Sequence, residues 1–502
     1  MEAQLLDSAR SVVLVPAQTE CVEVNDTILV VDLDGTLTPT DTLVESIIQV
    51  IKKSPANILR LPYWFLGGRA AFKEQVAARA SISPALLPYR QKLLSYLGAE
   101  KNKGRKIILA TAAHRSIATG VAKHLDLFDD VLATDGSNNL KGLAKLKTIK
   151  ETVGDNFVYA GDSAADAPVW QGAKAAILVG VTPSLASSIR RTVVIEKEFA
   201  SDGAGFSEWM RALRVHQWLK NLLLFVPLLT TFSFYNLVAL TATASAFLAF
   251  SLAASATYIV NDLWDIESDR AHPRKRLRPF ASARIPIHYG VAMAGLLLLI
   301  ALGIAWAISV GFLLMLILYI VLTSAYSWLL KEYVLLDVIT LSMLYTLRIL
   351  AGSVVIGVAT STWLLAFSVF MFLSLALVKR CSELVSLKQA GSEITRGRDY
   401  RVTDLDVLWP LGLGAAMSSV VVFGLFTNAP DTRARYATPD LLWIVALGLI
   451  YWLARLWIKT SRGEMHDDPV VYAIKDFGSR TTIFFMIMMV LIGHFASLRF
   501  PT

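Results

Sequence analysis

The sequence predicts two parts of different fold class. The N-terminal part is predicted as α/β, with a parallel doubly wound sheet and a helical cap, and the C-terminal part as an all-α membrane unit with nine transmembrane helices. Residues 1–200 alternate short apolar runs with charged segments, whereas long apolar stretches dominate from about residue 218 onward. The 502 residues are 55% hydrophobic and 18% charged. Soluble proteins average roughly 45–50% and 25%, so the composition argues against a soluble enzyme and against a disordered chain.

Net charge and cysteine content further narrow the class of protein. Lysine and arginine number 48 against 40 aspartate and glutamate, a net charge of +8. In a chain this apolar, the basic excess indicates loops beside a membrane or anionic substrates, and gives no reason to expect a nucleic-acid partner. Cys21 and Cys381 lie far apart without a Cys-x-x-Cys pattern, so neither a disulfide framework nor a zinc site is predicted.

The prediction of an α/β part rests on short apolar runs that end in charged or glycine residues. Helix-like segments separate these runs, as is typical of a parallel doubly wound sheet. The predicted strands are 27–33, 106–111, 130–134 and 157–162. Residues 42–105 form a mostly helical insertion between the first two. Residues 1–26 are an N-terminal extension that lacks the basic and apolar regions of a signal peptide, so we expect this part to stay in the cytosol.

A charged, glycine-containing stretch, 196–210, is the predicted linker between a domain at 27–195 and a membrane domain at 211–502. Each apolar segment beyond it approaches the roughly 20 residues that a helix needs to cross a bilayer. The first is the weakest, because it contains Pro227 and several polar residues. The nine segments are 219–236, 238–260, 287–308, 311–330, 334–357, 362–378, 407–427, 440–458 and 481–499.

The loops between these segments differ in charge. With a cytosolic N-terminus, the loops after even-numbered spans face the cytosol, and they contain seventeen basic residues. The opposite side holds only Arg433 and Arg435. Cytosolic loops of membrane proteins are enriched in lysine and arginine, so we expect a multi-pass cell-membrane protein whose polar sites face the cytosol.

Asp32 and Asp34 stand two residues apart at the end of the first strand and precede Gly35. Such a pair suits covalent phosphoryl chemistry, because one carboxylate can attack phosphorus while the other protonates the leaving oxygen and later activates water. Thr111 ends the second strand with a hydroxyl that can hold a phosphoryl oxygen, and Lys145 can neutralise a phosphoaspartate.

The last strand ends before Asp162 and Asp166, whose oxygens suit Mg²⁺. These four motifs in this order resemble those of the haloacid dehalogenase (HAD) phosphatases over 27–195. The resemblance implies that Asp32 is the nucleophile, Asp34 the acid and base, and Thr111 and Lys145 the second and third motifs. It implies a magnesium site with Asp162 as direct ligand and Asp166 in support. The predicted metal residues are Asp32, Asp34, Asp162 and Asp166. The alternative is a degenerate HAD fold kept as a scaffold, although every catalytic position is present.

At the end of the second span, Asp262, Asp265 and Asp269 have the i, i+3, i+7 spacing of one helix face. Acidic groups at the end of a membrane helix are costly and usually functional, and three on one face make a Mg²⁺ platform for a diphosphate. A basic run follows, which suits a polyphosphate ligand but is also explained by membrane topology alone. Its residues are Arg270, His272, Lys275, Arg276 and Arg278.

The run Asn261-Asp262-x-x-Asp265-x-x-x-Asp269 resembles the first Asp-rich motif of the UbiA superfamily of intramembrane prenyltransferases, and Tyr326 to Lys331 resembles its Tyr/Lys motif. The resemblance covers about 205–502, and nine helices is the usual count. A second Asp-rich motif is typical of members that prenylate aromatic acceptors. Here Lys379, Arg380 and Glu383 hold that position, a poor metal site and a good phosphate clamp. This departure resembles the decaprenyl-phosphate phosphoribosyltransferase branch.

That branch implies transfer of phosphoribose from phosphoribosyl pyrophosphate to a polyprenyl phosphate, with Mg²⁺ on the Asp cluster. Candidates for binding the lipid phosphate or the ribose 5-phosphate, not divided between the two, are Lys220, Lys331, Arg348 and Lys379. Glu383 is expected to hold a ribose hydroxyl or to orient Lys379. Asp337 and Arg348 share the fifth span, so a structural buried pair is the alternative for them.

Both predicted sites act on phosphate, so the HAD domain is expected to remove the 5-phosphate and yield polyprenylphosphoryl-ribose, by resemblance a precursor for cell-envelope polysaccharide. One alternative is an aromatic-acceptor prenyltransferase that uses a polyprenyl diphosphate beside a phosphatase of unrelated substrate. Another is a transporter or scaffold with an inert HAD domain. Small-residue runs in the spans allow a homo-oligomer.

Overall fold

The computed structural model describes residues 27–135, 139–200, 203–391, 398–465 and 468–497. The predicted extension at 1–26, with Cys21, lies outside them, and Cys381 is buried as a free thiol. The chain divides into two units, Met1–Gly203 and Ala204–Thr502.

The first unit is built on a six-stranded sheet of order β3-β2-β1-β4-β5-β6 in which every pair is parallel. This confirms the predicted doubly wound sheet. The strands are β1 Ile28–Val31, β2 Ile107–His114, β3 Asp130–Thr134, β4 Phe157–Gly161, β5 Ala175–Val179 and β6 Val194–Phe199. The helices are α1 Thr42–Lys53, α2 Asn57–Leu66, α3 Arg69–Ala77, α4 Gln91–Asn102, α5 Arg115–Leu125, α6 Leu143–Val153, α7 Ala167–Gln171 and α8 Pro183–Ile189, with short 3₁₀ helices at Pro84–Leu86 and Ala164–Asp166.

The apolar runs of the sequence become strands buried on both faces. In β1, Leu29 and Val31 belong to one hydrophobic core while Val30 belongs to the core on the opposite face. A strand covered on both faces needs no alternation with polar residues, which is why these runs are almost continuously apolar. The helical insertion between β1 and β2 supplies the predicted cap in α1 to α3, whereas Leu93 and Leu97 of α4 pack into the sheet core.

Two boundaries in this unit differ from the prediction. Residues 196–199, placed in the linker, belong to the edge strand β6. The charged residues of β6 made it look like a linker in the sequence. Glu196 nevertheless packs against the domain, because its carboxylate lies 2.6 Å from the guanidinium of the buried Arg105. Strand β2 continues past Thr111 to His114, with a change of register at that point.

The second unit is helical. Its helices are α9 Phe206–Leu213, α10 Val226–Thr230, α11 Leu237–Trp264, α12 Ile266–Ala271, α13 Ile287–Ile308, α14 Val310–Trp328, α15 Leu336–Ile356, α16 Thr362–Gln389, α17 Leu405–Asn428, α18 Pro430–Arg433, α19 Leu442–Ser461, α20 Pro469–Lys475 and α21 Phe477–Phe495. Its 3₁₀ helices are Val215–Phe225, Ser233–Tyr235, Lys275–Leu277, Leu330–Glu332, Val402–Asp404 and Pro439–Leu441. Over the described ranges, eight helices are long and apolar enough to span a bilayer, which makes this a multi-pass membrane protein.

The prediction of nine spans was one too many among these residues, and the difference lies in the weak first segment. Residues 219–236 form a 3₁₀ helix, the short α10 and another 3₁₀ turn. Pro227 has no N–H to donate, and Phe232 takes a left-handed conformation with φ of 51°, so a single helix is interrupted. The segment also packs closely on α15, because a Cβ placed on Gly352 would lie 2.2 Å from the Leu224 carbonyl oxygen.

A buried ion pair connects the central helices. Arg380 of α16 and Asp337 of α15 contact each other, and neither side chain has exposed surface. Arg380 also binds Glu383 and lies over the Tyr400 ring at 5.1 Å, while the Tyr400 hydroxyl donates to Asp337. Two predictions are corrected here. Helix α16 runs past residue 378, so Arg380 is enclosed and is no free phosphate clamp, and the partner of Asp337 is Arg380 instead of Arg348.

We expect Asp337→Ala to lower the thermal unfolding midpoint of the purified chain in detergent, because it removes the fully buried one of the two carboxylates that pair with Arg380. Breaking one partner of a buried pair costs about 3–5 kcal/mol, whereas replacing both by apolar residues is often neutral. The double variant Asp337→Leu with Arg380→Met should therefore recover stability. The control is Asp440→Ala, whose pair with Arg433 is exposed and worth about 0–1 kcal/mol. A loss no greater than in this control would contradict the role given to the pair.

Candidate functional site

The carboxylates of the first unit meet at the carboxyl edge of the sheet. Asp32 follows β1 and Asp162 follows β4, and these two strands are neighbours at the point where the strand order reverses. Loops diverge at such a point and leave a crevice. The backbone N–H of Asp32 continues the pairing by donating to the Ala160 carbonyl at 3.0 Å. The sheet topology thus brings together two acidic motifs that are far apart in sequence.

Lys145 lies among these carboxylates. Its Nζ is 3.0 Å from Asp32 Oδ2 and 3.4 Å from Asp166 Oδ1, and it donates to the Tyr159 hydroxyl at 2.8 Å. Burial alone would lower the pKa of Lys145, but the charges of Asp32 and Asp166 outweigh it and raise the pKa. The lysine therefore remains protonated beside the predicted nucleophile.

The carboxylates themselves are hard to ionise. Burial raises the pKa of Asp32 to about 6 in spite of Lys145. Burial, followed by the charge of Asp41, raises the pKa of Asp34 to about 7. Burial, followed by the charge of Asp32, raises the pKa of Asp162 to about 7. Several acidic groups held together in a poorly hydrated crevice are what a divalent cation would neutralise.

The geometry fits such a cation. Asp32, Asp162 and Asp166 each offer a carboxylate oxygen, and the three oxygens lie within 4.8 Å of one another. Hard oxygen ligands suit Mg²⁺. Asp166 also accepts the Tyr159 hydroxyl at 2.8 Å, which fits a supporting role. The side chain of Asp34 is not in this group, since it accepts the backbone N–H of Thr42 in the cap at 2.9 Å.

Residue 35 must be a glycine because its backbone lies very close to the Asp162 side chain. It has φ of +80°, and a Cβ there would lie 2.1 Å from Asp162 Oδ2. The next residue, Thr36, donates its hydroxyl to Asp162 Oδ1 at 3.2 Å. Thr111 is buried, and its hydroxyl accepts the Ala113 N–H at 3.0 Å. The first motif therefore positions the fourth as well as carrying its own carboxylates.

One site residue was missed by sequence reasoning. Lys73 of the cap helix α3 donates to the Ala112 carbonyl at 2.6 Å and to Asn139 Oδ1 at 2.8 Å, next to the second motif. Burial lowers the pKa of Lys73, and the charge of Asp34 opposes that shift. In the sequence it is one of several cations in a helical insertion, and no local pattern distinguishes it. The cap thus brings a positive charge to the phosphoryl site.

In the second unit, the predicted acidic face is divided between two helices. Helix α11 ends at Trp264, α12 begins at Ile266, and Asp265 lies at the junction. Arg278 contacts both Asp262, at 3.2 Å, and Asp269, at 2.6 Å. Arg214 also pairs with Asp262 at 2.5 Å. These carboxylates hold arginines and do not form a ready metal site, so magnesium at Asp262, Asp265 and Asp269 stays a prediction.

Two of the predicted phosphate ligands converge on one carboxylate. Lys220 Nζ lies 2.9 Å from Asp468 Oδ2, and Lys379 Nζ lies 3.4 Å from the same oxygen. Burial alone would raise the pKa of Asp468, but the two lysines lower it. Asp468 is not among the residues predicted above, because a lone acidic cluster in a loop is more often solvated or part of a structural turn. The acidic loop sequence was its one signal, and the neighbouring His466 and Asp467 lie outside the described residues.

Arg348 adjoins this cluster. Its Nε donates to Asn221 Oδ1 at 2.9 Å, and its guanidinium lies over the rings of Tyr319 at 4.9 Å and Tyr345 at 5.5 Å. Lys220 Nζ also lies over the Tyr345 ring, 5.7 Å from its centre. Both cations therefore contact the Tyr345 ring, and a phosphate-binding role for Arg348 stays a prediction.

The predicted basic run has a more structural arrangement. Arg270 Nε donates to the Ala281 carbonyl at 2.8 Å, and His272 Nδ1 accepts the backbone N–H of Arg274 at 3.2 Å. Both contacts shape the loop. Lys275 and Arg276 are exposed. Within this run, Arg278 is the residue that the structure brings to the carboxylates.

Four predicted residues remain, Asn261, Tyr326, Lys331 and Glu383. Asn261 donates to Ser327 at 2.9 Å, and Tyr326 is partly buried against the helix core. Lys331 lies in the 3₁₀ helix Leu330–Glu332. Glu383 contacts Arg380 and Arg398, so it does not orient Lys379.

Family models match both units. The model of the UbiA prenyltransferase family matches residues 222–474. The chain belongs to this family. The model of the haloacid dehalogenase-like hydrolases matches residues 29–171, so the first unit is a HAD-like domain. The resemblances stated for the two parts are confirmed.

Relatives are similar to the whole chain or to its UbiA domain. An uncharacterized protein, y4nM, of Sinorhizobium fredii is 40% identical over 89% of this chain and 87% of its own. The nodulation protein NoeC of Azorhizobium caulinodans is 36% identical over 55% of this chain and 90% of its own. A decaprenyl-phosphate phosphoribosyltransferase of Mycolicibacterium smegmatis is 33% identical over 53% of this chain and 86% of its own. The first match is long enough to include both domains.

We expect Gly35→Ala to abolish hydrolysis of p-nitrophenyl phosphate by the full chain, because the new methyl group would displace Asp162. The control is Gly104→Ala. Gly104 also has a positive φ, +84°, but a Cβ there meets nothing within 4 Å. Both variants carry the left-handed strain of about 1–2 kcal/mol, and only the first disturbs a carboxylate. Equal activity of the two variants would contradict the role of the close approach.

Proposed function

We propose that this chain is a bifunctional enzyme of the cell membrane. Its UbiA domain transfers phosphoribose from phosphoribosyl pyrophosphate to a polyprenyl phosphate, and its HAD domain removes the 5-phosphate to give polyprenylphosphoryl-ribose. Both reactions face the cytosol, and the product serves cell-envelope polysaccharide synthesis. The observation that carries the proposal is the convergence of Lys220 and Lys379 on Asp468, where a second acidic metal motif would be needed for a prenyl diphosphate.

The charges around that point favour a polyanionic substrate. Arg214 lies over the Tyr258 ring at 4.9 Å, Lys220 lies over the Tyr345 ring at 5.7 Å, and Lys220 is near enough to Tyr258 for a charge interaction with its hydroxyl. One connected polar region therefore contains five cations and three carboxylates, a surplus of two positive charges. Its residues are Arg214, Lys220, Arg278, Arg348, Lys379, Asp262, Asp269 and Asp468. Relatives named decaprenyl-phosphate phosphoribosyltransferase, about a third identical, support the same substrate class.

The transfer follows from these groups. Arg214 and Arg278 bind the diphosphate of the donor, and the lysines bind a phosphate of the donor or of the lipid. An oxygen of the lipid phosphate forms a bond to the anomeric carbon while the bond from that carbon to pyrophosphate breaks. The lipid phosphate is already anionic, so no general base is needed. Fixed cations stabilise the charge that develops on the departing pyrophosphate.

The HAD domain then acts on the remaining phosphomonoester. Asp32 attacks phosphorus, the ester bond breaks, and Asp34 donates a proton to the departing ribose oxygen. A pKa of about 7 suits Asp34 for this task at neutral pH. Asp34 next takes a proton from water, which attacks the phosphoaspartate and releases inorganic phosphate, with Lys145 balancing negative charge. Asp32, Asp162 and Asp166 would hold Mg²⁺, which would supply further positive charge against the phosphate.

Membranes containing the chain should transfer label from phosphoribosyl pyrophosphate to added polyprenyl phosphate. Lys220→Met should reduce this transfer roughly 10- to 100-fold, since hydrogen bonds to charged groups are worth about 1.5–3 kcal/mol. The matched control is Lys388→Met, which changes an exposed lysine in the last turn of α16 and should leave the rate unchanged. Absence of labelled lipid would overturn the proposal, and label transfer only from a polyprenyl diphosphate to an aromatic acceptor would favour the prenyltransferase alternative.

Asp32→Asn should leave the transferase product phosphorylated at the ribose 5-position, because the nucleophile is lost while the UbiA domain is untouched. Mass spectrometry of the labelled lipid separates the two forms. Asp155→Asn, at an exposed position paired only with Lys150 in the described contacts, should give the same dephosphorylated lipid as the parent. If the parent chain also retains the phosphate, the HAD domain has a different substrate.

A further inference from the structure

The cap of the HAD domain displays an unusually apolar helix. Five large apolar side chains of α2 are between 55% and 83% exposed: Ile58, Leu59, Tyr63, Phe65 and Leu66. Soluble surfaces rarely show contiguous apolar patches of this kind without a binding role. Nothing in the catalytic scheme above uses them.

The helix is held in place from its other side. Asn57 donates to the Val50 carbonyl of α1 at 3.0 Å, and Trp64 lies under the Arg79 guanidinium at 4.6 Å. Phe65 meets Phe72 of α3 edge to face at 5.6 Å. These contacts fix the orientation of α2 and leave its apolar surface uncovered within the described HAD unit.

The charge around α2 has one sign. From residue 52 to residue 73 the sequence contains five basic residues and no acidic one. Arg60 and Arg69 are exposed beside the apolar side chains. Apolar and aromatic residues flanked by cations are typical of helices that lie in the interface of an anionic membrane. Tyrosine and tryptophan are also enriched at that depth.

The bilayer is within reach of this domain. Residues 200–205 separate β6 from α9, the first helix of the membrane unit. Seven steps of about 3.6 Å allow at most about 25 Å between Phe199 and Phe206. The membrane unit therefore keeps this domain close to a bilayer, which carries negative headgroups and accepts apolar side chains.

The same cap carries Lys73 into the catalytic crevice, one residue after the Phe72 ring that packs on α2. We infer that α2 is a membrane-docking helix, which inserts its apolar side chains into the interface of an anionic bilayer and presents the phosphatase crevice to lipid-linked phosphate. The docking surface is defined here as Ile58, Leu59, Tyr63, Phe65 and Leu66. Its link to lipid-linked substrate rests on the proposed function; the docking itself does not.

The test uses the full chain in vesicles that contain phosphatidylglycerol. An environment-sensitive fluorophore is attached at Leu59→Cys or Leu66→Cys, in a background with Cys21→Ala and Cys381→Ala. Lipids brominated in the acyl chain should quench both positions, with roughly a two-fold loss of emission at interfacial depth. The matched control is Lys147→Cys on α6, an exposed position of the same domain, which should not be quenched.

Quenching at residues 59 and 66 no greater than at residue 147 would overturn the inference. A blue-shifted emission without quenching by brominated lipid would also overturn it, because it would show that protein, from this chain or a second copy, covers α2. Replacing phosphatidylglycerol by phosphatidylcholine should weaken the quenching, and an unchanged signal would contradict the requirement for anionic headgroups.

An activity measurement separates docking from the phosphatase assignment. Leu59→Ser with Leu66→Ser should slow turnover of the lipid-linked phosphate roughly ten-fold and leave hydrolysis of soluble p-nitrophenyl phosphate unchanged. The control is Val194→Ser, an exposed apolar residue on the edge strand β6. If the parent hydrolyses p-nitrophenyl phosphate but no lipid, the proposed substrate fails while the quenching result still decides docking. Equal lipid turnover by the double variant and the control would contradict a role for docking in catalysis.

Discussion

A charge taken out of water needs an opposite charge in contact with it, and this requirement shapes both domains of the chain. Asp337 and Arg380 meet it between two membrane helices, and Lys145 meets it between Asp32 and Asp166. Lys220 and Asp468 meet it between a 3₁₀ segment and a loop. The three pairs differ in how completely the protein encloses them. The first pair is fully buried, whereas the other two lie where we propose that a phosphate group binds and reacts.

The irregular start of the UbiA domain follows from the same requirement. Lys220 and Asn221 lie in this irregular segment, and both have polar partners. The 3₁₀ helix brings Asn221 against Ser251 and Arg348, and Gly352 gives room for its backbone. Non-helical backbone at membrane depth is tolerated where protein encloses it.

Local pattern was enough to predict the sheet, the cap, the long helices and the order of the HAD motifs, because each depends on neighbours in sequence. It was not enough for Asp468, whose lysine partner is 248 residues away, or for Lys73, which reaches the second motif from an inserted helix. Arg380 illustrates the opposite failure. Its position in a familiar motif indicated a ligand, and only the packing of α15 against α16 shows that the residue already pairs with Asp337. Strand β6 was hidden because one face of an edge strand can be charged.

The contact between Gly35 and Asp162 has a genetic consequence. Every single-base change that replaces glycine by another amino acid introduces a Cβ, and at residue 35 a Cβ would meet the Asp162 carboxylate at 2.1 Å. Every single-base missense change at residue 35 therefore disturbs Asp162. At Gly104 the added Cβ meets open space, so a missense change there costs backbone strain alone. Lineages that dispense with the phosphatase should lose the glycine early, since a single substitution there is enough to disconnect the first motif from the fourth.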